Sequence, residues 1–467
     1  MRLPFRAGDA VRWSGGRLLQ GAPEAELGGV SIDTRSLTAG QLFVAIRGPS
    51  HDAHGFLDAA LARGAAGLVV ERGRALPAGL DAALPVVEVD DTTRALGALA
   101  AGHRAGFDGP VVAITGSNGK TTTKEMCAAI LSVSRPCLRT RGNLNNQFGL
   151  PLTLLERGSE HRALVVEIGM NHRGEIAPLA AIARPSVAVV TNVGTAHLEH
   201  LGSREEIARE KGDLVAGLEP GGVAVLPADD ALALAQGRRA PGRVVTFGRS
   251  PRADVRAEGV AALGDRGFAF ELAAPEGRAP VHVAGLGEHT VLNALAAAGA
   301  ALAAGAPLDD VPAGLGSFRP VGGRMERLAL PRNVILVNDT YNANPQSVEV
   351  ALRSLAELKG SSRAIAVLGD MAELGAAAAQ AHQAVGRLVA GLGIDWLFVL
   401  GPHAPELAKG ALEAGMDPAR VHVGRDHDET GAEVERILQG DDWVLVKGSR
   451  SMRMERVVES LTARLGA

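Results

Sequence analysis

The chain has 467 residues, enough for about three domains of roughly 150 residues each, and its 48 basic and 52 acidic side chains give a formal net charge of -4. With 46% hydrophobic and 21% charged residues it has the composition of an ordinary globular protein and lacks the broad basic field of a nucleic-acid binder. No apolar leader follows Arg2 and Arg6 and no run of 18 apolar residues occurs, so neither a signal peptide nor a membrane span is expected, and the chain reads as a cytoplasmic monomer.

Residues 1–107 read as a small α/β unit. Leu42–Ile46, Ala66–Val70 and Pro85–Val89 are short apolar runs of strand character, and Arg47-Gly48-Pro49 breaks the first. Helical spacing through Phe56, Ala59, Ala60 and Leu61 ends at Gly64. Ser31, Asp33, Thr34, Arg35 and Ser36 crowd polar groups at a strand start, which a capped turn alone would explain. Asp91 before Thr92-Thr93 is an N-cap for a helix through Leu96, Leu99 and Ala100.

The next stretch organises the rest. The apolar run Val111–Ile114 leads into Thr115-Gly116-Ser117-Asn118-Gly119-Lys120-Thr121-Thr122, and a helical pattern through Met126, Ile130 and Leu131 follows. Glycines let a backbone wrap an anion, and first-turn N–H groups then face its phosphates. Lys120 is placed to reach the outer phosphates and the Thr121 hydroxyl to ligate magnesium, against the plainer reading of a strand-to-helix turn that binds nothing. The full-length phosphate loop wants Gly where Ile114 stands, so a shortened version remains. Cys127 lies on the helix as a packing residue, and with Cys137 it makes no disulfide framework or metal-ligand spacing.

Thr115 to Thr122 resembles the nucleotide loop of the Mur ligases of peptidoglycan synthesis and their folylpolyglutamate synthase relatives, which carry the same shortened form. The resemblance implies ATP and Mg2+ as cofactors, with Gly116, Ser117, Asn118, Gly119, Lys120, Thr121 and Thr122 around the nucleotide. It extends backwards. Ser31-x-Asp-Thr-Arg-x-Leu37, Gly40-x-Leu-Phe-x-Ala45 and His54-Gly-Phe56 are similar to the UDP-binding first domain of these ligases, which implies Ser31, Arg35, Ser36 and Arg47 near the uridine diphosphate.

Residues 108–316 continue as a central nucleotide-binding domain. Gly142-Asn143-Leu-Asn145-Asn146-Gln-Phe-Gly149-Leu-Pro151 is dense in amides; these form turns readily, and the likeness makes Thr140, Asn143, Asn145 and Asn146 substrate contacts. Glu167 ends the apolar run Ala163–Val166, where ligands of an open α/β sheet bind, and the family has a magnesium-binding Glu there. A strand over 186–191 precedes His197, Glu199 and His200; His-x-x-His with one Glu lacks closed zinc spacing, and the likeness gives His197 to a second magnesium. Lys211 lies on a Ser203-capped helix and on its own residues would face solvent, whereas the ligases carry here a lysine that is often carbamylated and helps hold the second magnesium. Pro227 departs from the family, which usually has Asn before Ala-Asp. Residues 253–284 read as short strands, and His289 opens a helix on which Asn293 is either a packed polar spot or an adenine contact.

Residues 317–467 follow a Gly/Pro-rich hinge. Arg324 matches a family arginine near the nucleotide. Val334–Asn338 is a strand, and Asp339-Thr-Tyr-Asn-Ala-Asn-Pro-Gln-Ser347 is a polar loop before a helix expected near Val348. That loop is similar to the members that add D-alanyl-D-alanine, implying Asp339 at the nucleotide and Tyr341, Asn342, Asn344 and Ser347 at the substrate. Ala364–Gly375 reads as a strand and its loop, Asp395–Gly401 and Trp443–Arg450 complete a βαβ pattern, and their near-continuous apolar runs suit buried parallel strands. Asp370, Glu373, Lys447, Ser449 and Arg450 gather at strand ends, and Lys447 and Arg450 are suited to clamping a carboxylate.

The expectation is therefore three α/β domains: 1–107 binding the UDP precursor, 108–316 binding ATP in a P-loop mononucleotide fold, and 317–467 Rossmann-like. By the resemblance, the protein joins D-alanyl-D-alanine to UDP-N-acetylmuramoyl-tripeptide through an acyl phosphate, with Lys120, Glu167, His197 and Lys211 as catalytic groups. Three alternatives remain. A diaminopimelate- or lysine-adding ligase is disfavoured by the absence of the Asp-Asn-Pro-Arg hallmark of the diaminopimelate-adding enzyme; a folylpolyglutamate synthase, by the first domain; a nucleotide-gated binding module, by Glu167 and His197 at paired strand ends.

Overall fold

The computed structural model describes residues 3–48, 51–195 and 198–466. It is an α/β protein with three main sheets in chain order. The first has five strands in the order 17–20, 86–89, 67–71, 42–44, 30–31, parallel except for the first pair. The central sheet has nine, in the order 277–283, 268–274, 255–262, 243–248, 223–227, 187–190, 111–115, 163–167, 137–139. Its last seven strands run parallel, and the short strands expected over 253–284 extend it as an antiparallel meander. The third has six, in the order 326–330, 334–339, 443–447, 364–369, 396–400, 421–423, with only the first pair antiparallel.

The parallel strands are almost wholly apolar and buried, as a sheet covered by helices on both faces requires. One consequence positions the site. Parallel register brings the carboxyl ends of 111–115, 163–167, 187–190 and 223–227 to one edge of the central sheet. The third sheet does the same for 334–339, 443–447 and 364–369.

Helix Thr92–Ala105, capped by Asp91 as expected, passes from the first sheet to the central one. It has no seam beside it. A single apolar core includes Val30, Val69 and Val87 of the first sheet, Leu96 and Leu99 of this helix, and Val111, Leu164 and Ala188 of the central sheet. Gly102 seats the helix on the N-terminal one: a Cβ there would lie 2.2 Å from the Trp13 ring. The third sheet has separate cores on its two faces, and the central segment adds Leu286 to one of them.

Candidate active site

Strand Val111–Thr115 delivers the chain into a turn with Gly116 at φ 151° and Gly119 at φ 80°, and helix Lys120–Ser134 starts at once. Both positions need glycine. A Cβ on Gly116 would lie 1.8 Å from Thr191 Oγ1, and one on Gly119 2.3 Å from Asn293 Oδ1. Lys120 Nζ donates to the carbonyls of Gly116 at 2.8 Å and Ser117 at 3.4 Å. Burial lowers the Lys120 pKa, with Glu167 opposing and Arg324 adding to the fall. The loop is braced from the strand 187–190: Thr191 Oγ1 donates to Asn118 O, Asn118 N donates to Asn192 Oδ1, and Gly194 N donates to Ser117 Oγ.

Glu167 is held on three sides. Thr121 Oγ1 donates to its Oε2 at 2.8 Å, Asn145 Nδ2 donates to its Oε1 at 2.7 Å, and its own N–H donates to Thr140 Oγ1 at 3.0 Å. Thr140 corrects an expectation. It is fully buried, its carbonyl accepts from Lys124 Nζ at 2.7 Å, and its hydroxyl is taken by Glu167, so it positions Glu167 and does not face a substrate. Asn143, Asn145 and Asn146 do line the cleft, although Asn146 Oδ1 accepts from the N–H groups of Phe148 and Gly149.

The Thr121 hydroxyl and the Glu167 carboxylate offer the hard oxygen pair that magnesium takes beside phosphates and water, so the residues fit that ion. Among the described residues no group of three or more His, Cys, Asp or Glu is placed to hold a metal. His197 lies outside the described residues.

Lys211 overturns the solvent-facing reading of its helix. It is 2% exposed on Arg204–Ala216, and its ammonium makes no hydrogen bond among the described residues. Desolvation first and the Lys120 charge second push its pKa well below the ordinary lysine value, against the pull of Glu210. Glu210 is itself engaged, accepting from Gly174 N at 2.9 Å and Ile176 N at 3.0 Å.

From the third sheet, register places Asp339 beside Lys447, and Nζ reaches Asp339 Oδ2 at 2.6 Å and Asn342 O at 2.9 Å. Lys447 is thus neutralised within the protein. Of the two cations expected to clamp a carboxylate, Arg450 has the exposed head, 3.1 Å from Glu455. The Arg324 guanidinium lies 3.9 Å over the Tyr341 ring. The helix expected near Val348 begins at Pro345: Asn344 is its N-cap, with Ser347 completing a capping box. The Asp370–Leu374 loop is pinned by groups on other elements. Met371 N donates to His382 Nε2 at 3.0 Å and Ala372 N to Ser449 Oγ at 2.7 Å.

These edges face one cleft of about 1470 Å³. The phosphate loop, Glu167, Asn293, Arg324, Asp339, Tyr341, Asn342, Asn344, Ser347, Lys447 and Arg450 all border it. Pro227, Phe247, Leu292 and Ala296 form an apolar wall beside Asn293, so the departure at Pro227 adds hydrocarbon there and no hydrogen-bonding group. Ser31, Arg35, Ser36 and Arg47 are not brought into the cleft. Ser31 Oγ bonds the Asp33 backbone, Arg35 pairs with Asp33 at 2.6 Å, and Arg47 lies 3.5 Å from Glu71. Sequence reasoning missed Asn192, Glu210, Gln346 and His382, whose partners lie on distant elements.

Two sheets that turn their ligand-binding edges on one another, one of them carrying a shortened phosphate loop, make a nucleotide-dependent ligase cleft. Residues 26–104 match the Mur ligase family catalytic domain, 114–301 the Mur ligase middle domain and 323–450 the Mur ligase glutamate ligase domain; the chain belongs to the Mur ligase family. It is 41% identical over 448 residues to UDP-N-acetylmuramoyl-tripeptide--D-alanyl-D-alanine ligase of Escherichia coli (strain K12), covering 95% of each chain. The solved UDP-N-acetylmuramoylalanyl-D-glutamyl-2,6-diaminopimelate--D-alanyl-D-alanyl ligase from Acinetobacter baumannii superposes with TM-score 0.85 at 32% identity over 99% of both chains. MurF ligase from Thermotoga maritima, solved in complex with ADP, gives 0.82 at 29% identity over 94% of this chain and 98% of that one.

Proposed function

We propose that this protein is the ATP-dependent ligase that joins D-alanyl-D-alanine to UDP-N-acetylmuramoyl-tripeptide during peptidoglycan precursor synthesis in the cytoplasm. Relatives bearing that name match it along nearly their whole length. No helix among the described residues is long and apolar enough to cross a membrane. The observation that carries the reading is the meeting of the phosphate loop with the Asp339–Ser347 segment across one cleft, so that an activated acid and an incoming amine are held together.

The loop amides and Lys120 hold the nucleotide phosphates, and the acceptor's terminal carboxylate attacks the γ-phosphorus of ATP to become an acyl phosphate as the bond to the β,γ-bridging oxygen breaks and ADP leaves. Thr121 and Glu167 would hold magnesium, which when bound neutralises phosphoryl charge. His197 and Lys211 are the remaining candidates for a second ion. The dipeptide amine then attacks the acyl carbon, and phosphate leaves. Arg450, at the cleft wall beside Asn342, is suited to pairing with the dipeptide carboxylate. Closure of the third domain on the central one excludes water that would otherwise hydrolyse the acyl phosphate. The peptide's third residue is diaminopimelate, as in the Acinetobacter baumannii name, or lysine.

The test is phosphate release by purified protein with ATP, magnesium and matched acceptor–amine pairs. Turnover is expected with the tripeptide acceptor and D-alanyl-D-alanine. Turnover instead with UDP-muramoyl dipeptide plus diaminopimelate or lysine would move the enzyme one step earlier and refute the assignment.

A further inference from the structure

The cleft has a limb to which the reaction above assigns nothing. It runs between helix Thr92–Ala105, which directly follows strand Val86–Val89 of the first sheet, and helix Ile176–Ala183. Gly97 lets the helices meet at its floor: a Cβ there would stand 3.0 Å from Ile182 Cδ1. Ala98, Ala101, Leu179 and Ile182 make the limb apolar, and Arg94 stands exposed on its wall.

The other basic groups bordering the cleft have a partner within the protein or a role already assigned. Lys120 bonds loop carbonyls and is assigned to the nucleotide, Arg324 lies over Tyr341, Lys447 pairs with Asp339, Arg450 lies 3.1 Å from Glu455 and is assigned to the dipeptide carboxylate, and His172 lies 3.3 Å from Glu175; His289 is half-buried, and desolvation lowers its pKa. Arg94 differs. Its backbone N–H donates to Asp91 Oδ1 at 3.0 Å, but its guanidinium has no ion pair or hydrogen bond among the described residues. A guanidinium fork without a partner, beside apolar lining of the same cleft that Lys120 and Glu167 border, suits an extended ligand with an aliphatic body and a side anion.

We propose that Arg94 binds a carboxylate of the acceptor peptide other than the one that is activated, with the limb taking the peptide's aliphatic portion. This rests on the functional reading above. The acceptor has to stretch from the first domain to Lys120 and Glu167, and the limb lies along the helix that joins those two regions. A tripeptide with an internal acidic residue carries such a spare carboxylate. The acceptor's diphosphate is a second anion that a guanidinium fork would accept, and the test separates the two.

The full-length protein and its Arg94→Ala and Arg94→Lys variants are assayed with three acceptors: the tripeptide acceptor, its analogue with the internal carboxylate amidated, and the muramoyl tripeptide without UDP. Arg94→Ala is expected to raise KM for the tripeptide acceptor about tenfold, with kcat and the KM values for ATP and dipeptide unchanged, and Arg94→Lys to recover part of the loss. Amidation should weaken the wild type by a similar factor and the Ala variant no further, the non-additivity expected of two groups in contact. The effect of Arg94→Ala should persist without UDP. If it vanishes there, Arg94 reads the diphosphate and the carboxylate subsite is wrong. An unchanged KM, or fully additive losses, also overturns the subsite. Absence of turnover by the wild type with any tripeptide acceptor would instead bring down the functional reading.

Discussion

Asn344 Nδ2 donates to Asn118 Oδ1 at 2.9 Å, joining residues 226 positions apart. Asn118 Nδ2 in turn donates to Gln346 Oε1 at 3.2 Å, so one amide at the tip of the phosphate loop meets the third domain through both of its polar atoms. Asn344 also caps its own helix through Oδ1. Asn344→Ser separates these roles, because a serine still caps but has no amide to donate across the cleft. The melting temperature should hold within about 2 °C, while kcat/KM for ATP falls about tenfold. Wild-type kinetics in this variant would show that the contact couples nothing.

Lys120→Ala removes the cation of the phosphate loop. A loss of at least about a thousandfold in kcat is expected with the fold intact by circular dichroism. Thr121→Val removes the hydroxyl donated to Glu167, and the magnesium concentration for half-maximal rate should rise several-fold. Unaltered turnover in the lysine variant would take this loop out of the ATP site.

Lys211 is a buried amine whose protonated form is disfavoured, and only a neutral amine adds carbon dioxide to become a carbamate. We predict that Lys211→Ala loses most activity, that short carboxylates such as formate or acetate restore part of it, and that the wild-type rate rises with bicarbonate. Full activity in the unsupplemented variant would reduce Lys211 to a packing residue.

His103 links stability to pH. It is 5% exposed, with Phe5 and Trp13 edge-on to its ring, and burial, helped by the Arg157 charge, lowers its pKa from 6.5 to about 4. The unfolded chain therefore takes up a proton below pH 6.5 that the folded one refuses until about pH 4. The stability present above pH 6.5 is lost progressively across that window, by about 3 kcal/mol in full. Thermal melts between pH 7.5 and 4.5 should fall more steeply for the wild type than for His103→Met. Parallel slopes would show that other groups govern the acid limb.

Much of this was legible because the relevant physics is local. Apolar runs between Gly and polar turns marked the strands, and the strand–glycine–lysine order marked the nucleotide loop. Asp91 announced its helix. The helix at Pro345 was announced as well, by Asn before Pro, although the polar density of the loop masked it. What stayed hidden depends on partners remote in sequence. Thr140 looks like a loop hydroxyl until Glu167 and Lys124 take it from two sides. Lys211 sits in a charged run, and only the packing of its helix against the central sheet reveals its burial. Gln346 and Asn192 matter because both meet Asn118, which no spacing rule predicts.

The unbroken apolar core beneath helix Thr92–Ala105 has a calorimetric consequence. Val69 and Val87 belong to the same apolar core as Leu96, Val111 and Leu164, so the first sheet cannot lose that face of its interior while the central one keeps its own. Three sheets then amount to two cooperative units. Scanning calorimetry should resolve two endotherms, the larger for residues of the first and central sheets together and the smaller for the third. A nucleotide analogue seated across the seam, held by residues of both units, should raise both midpoints and draw the two transitions toward one.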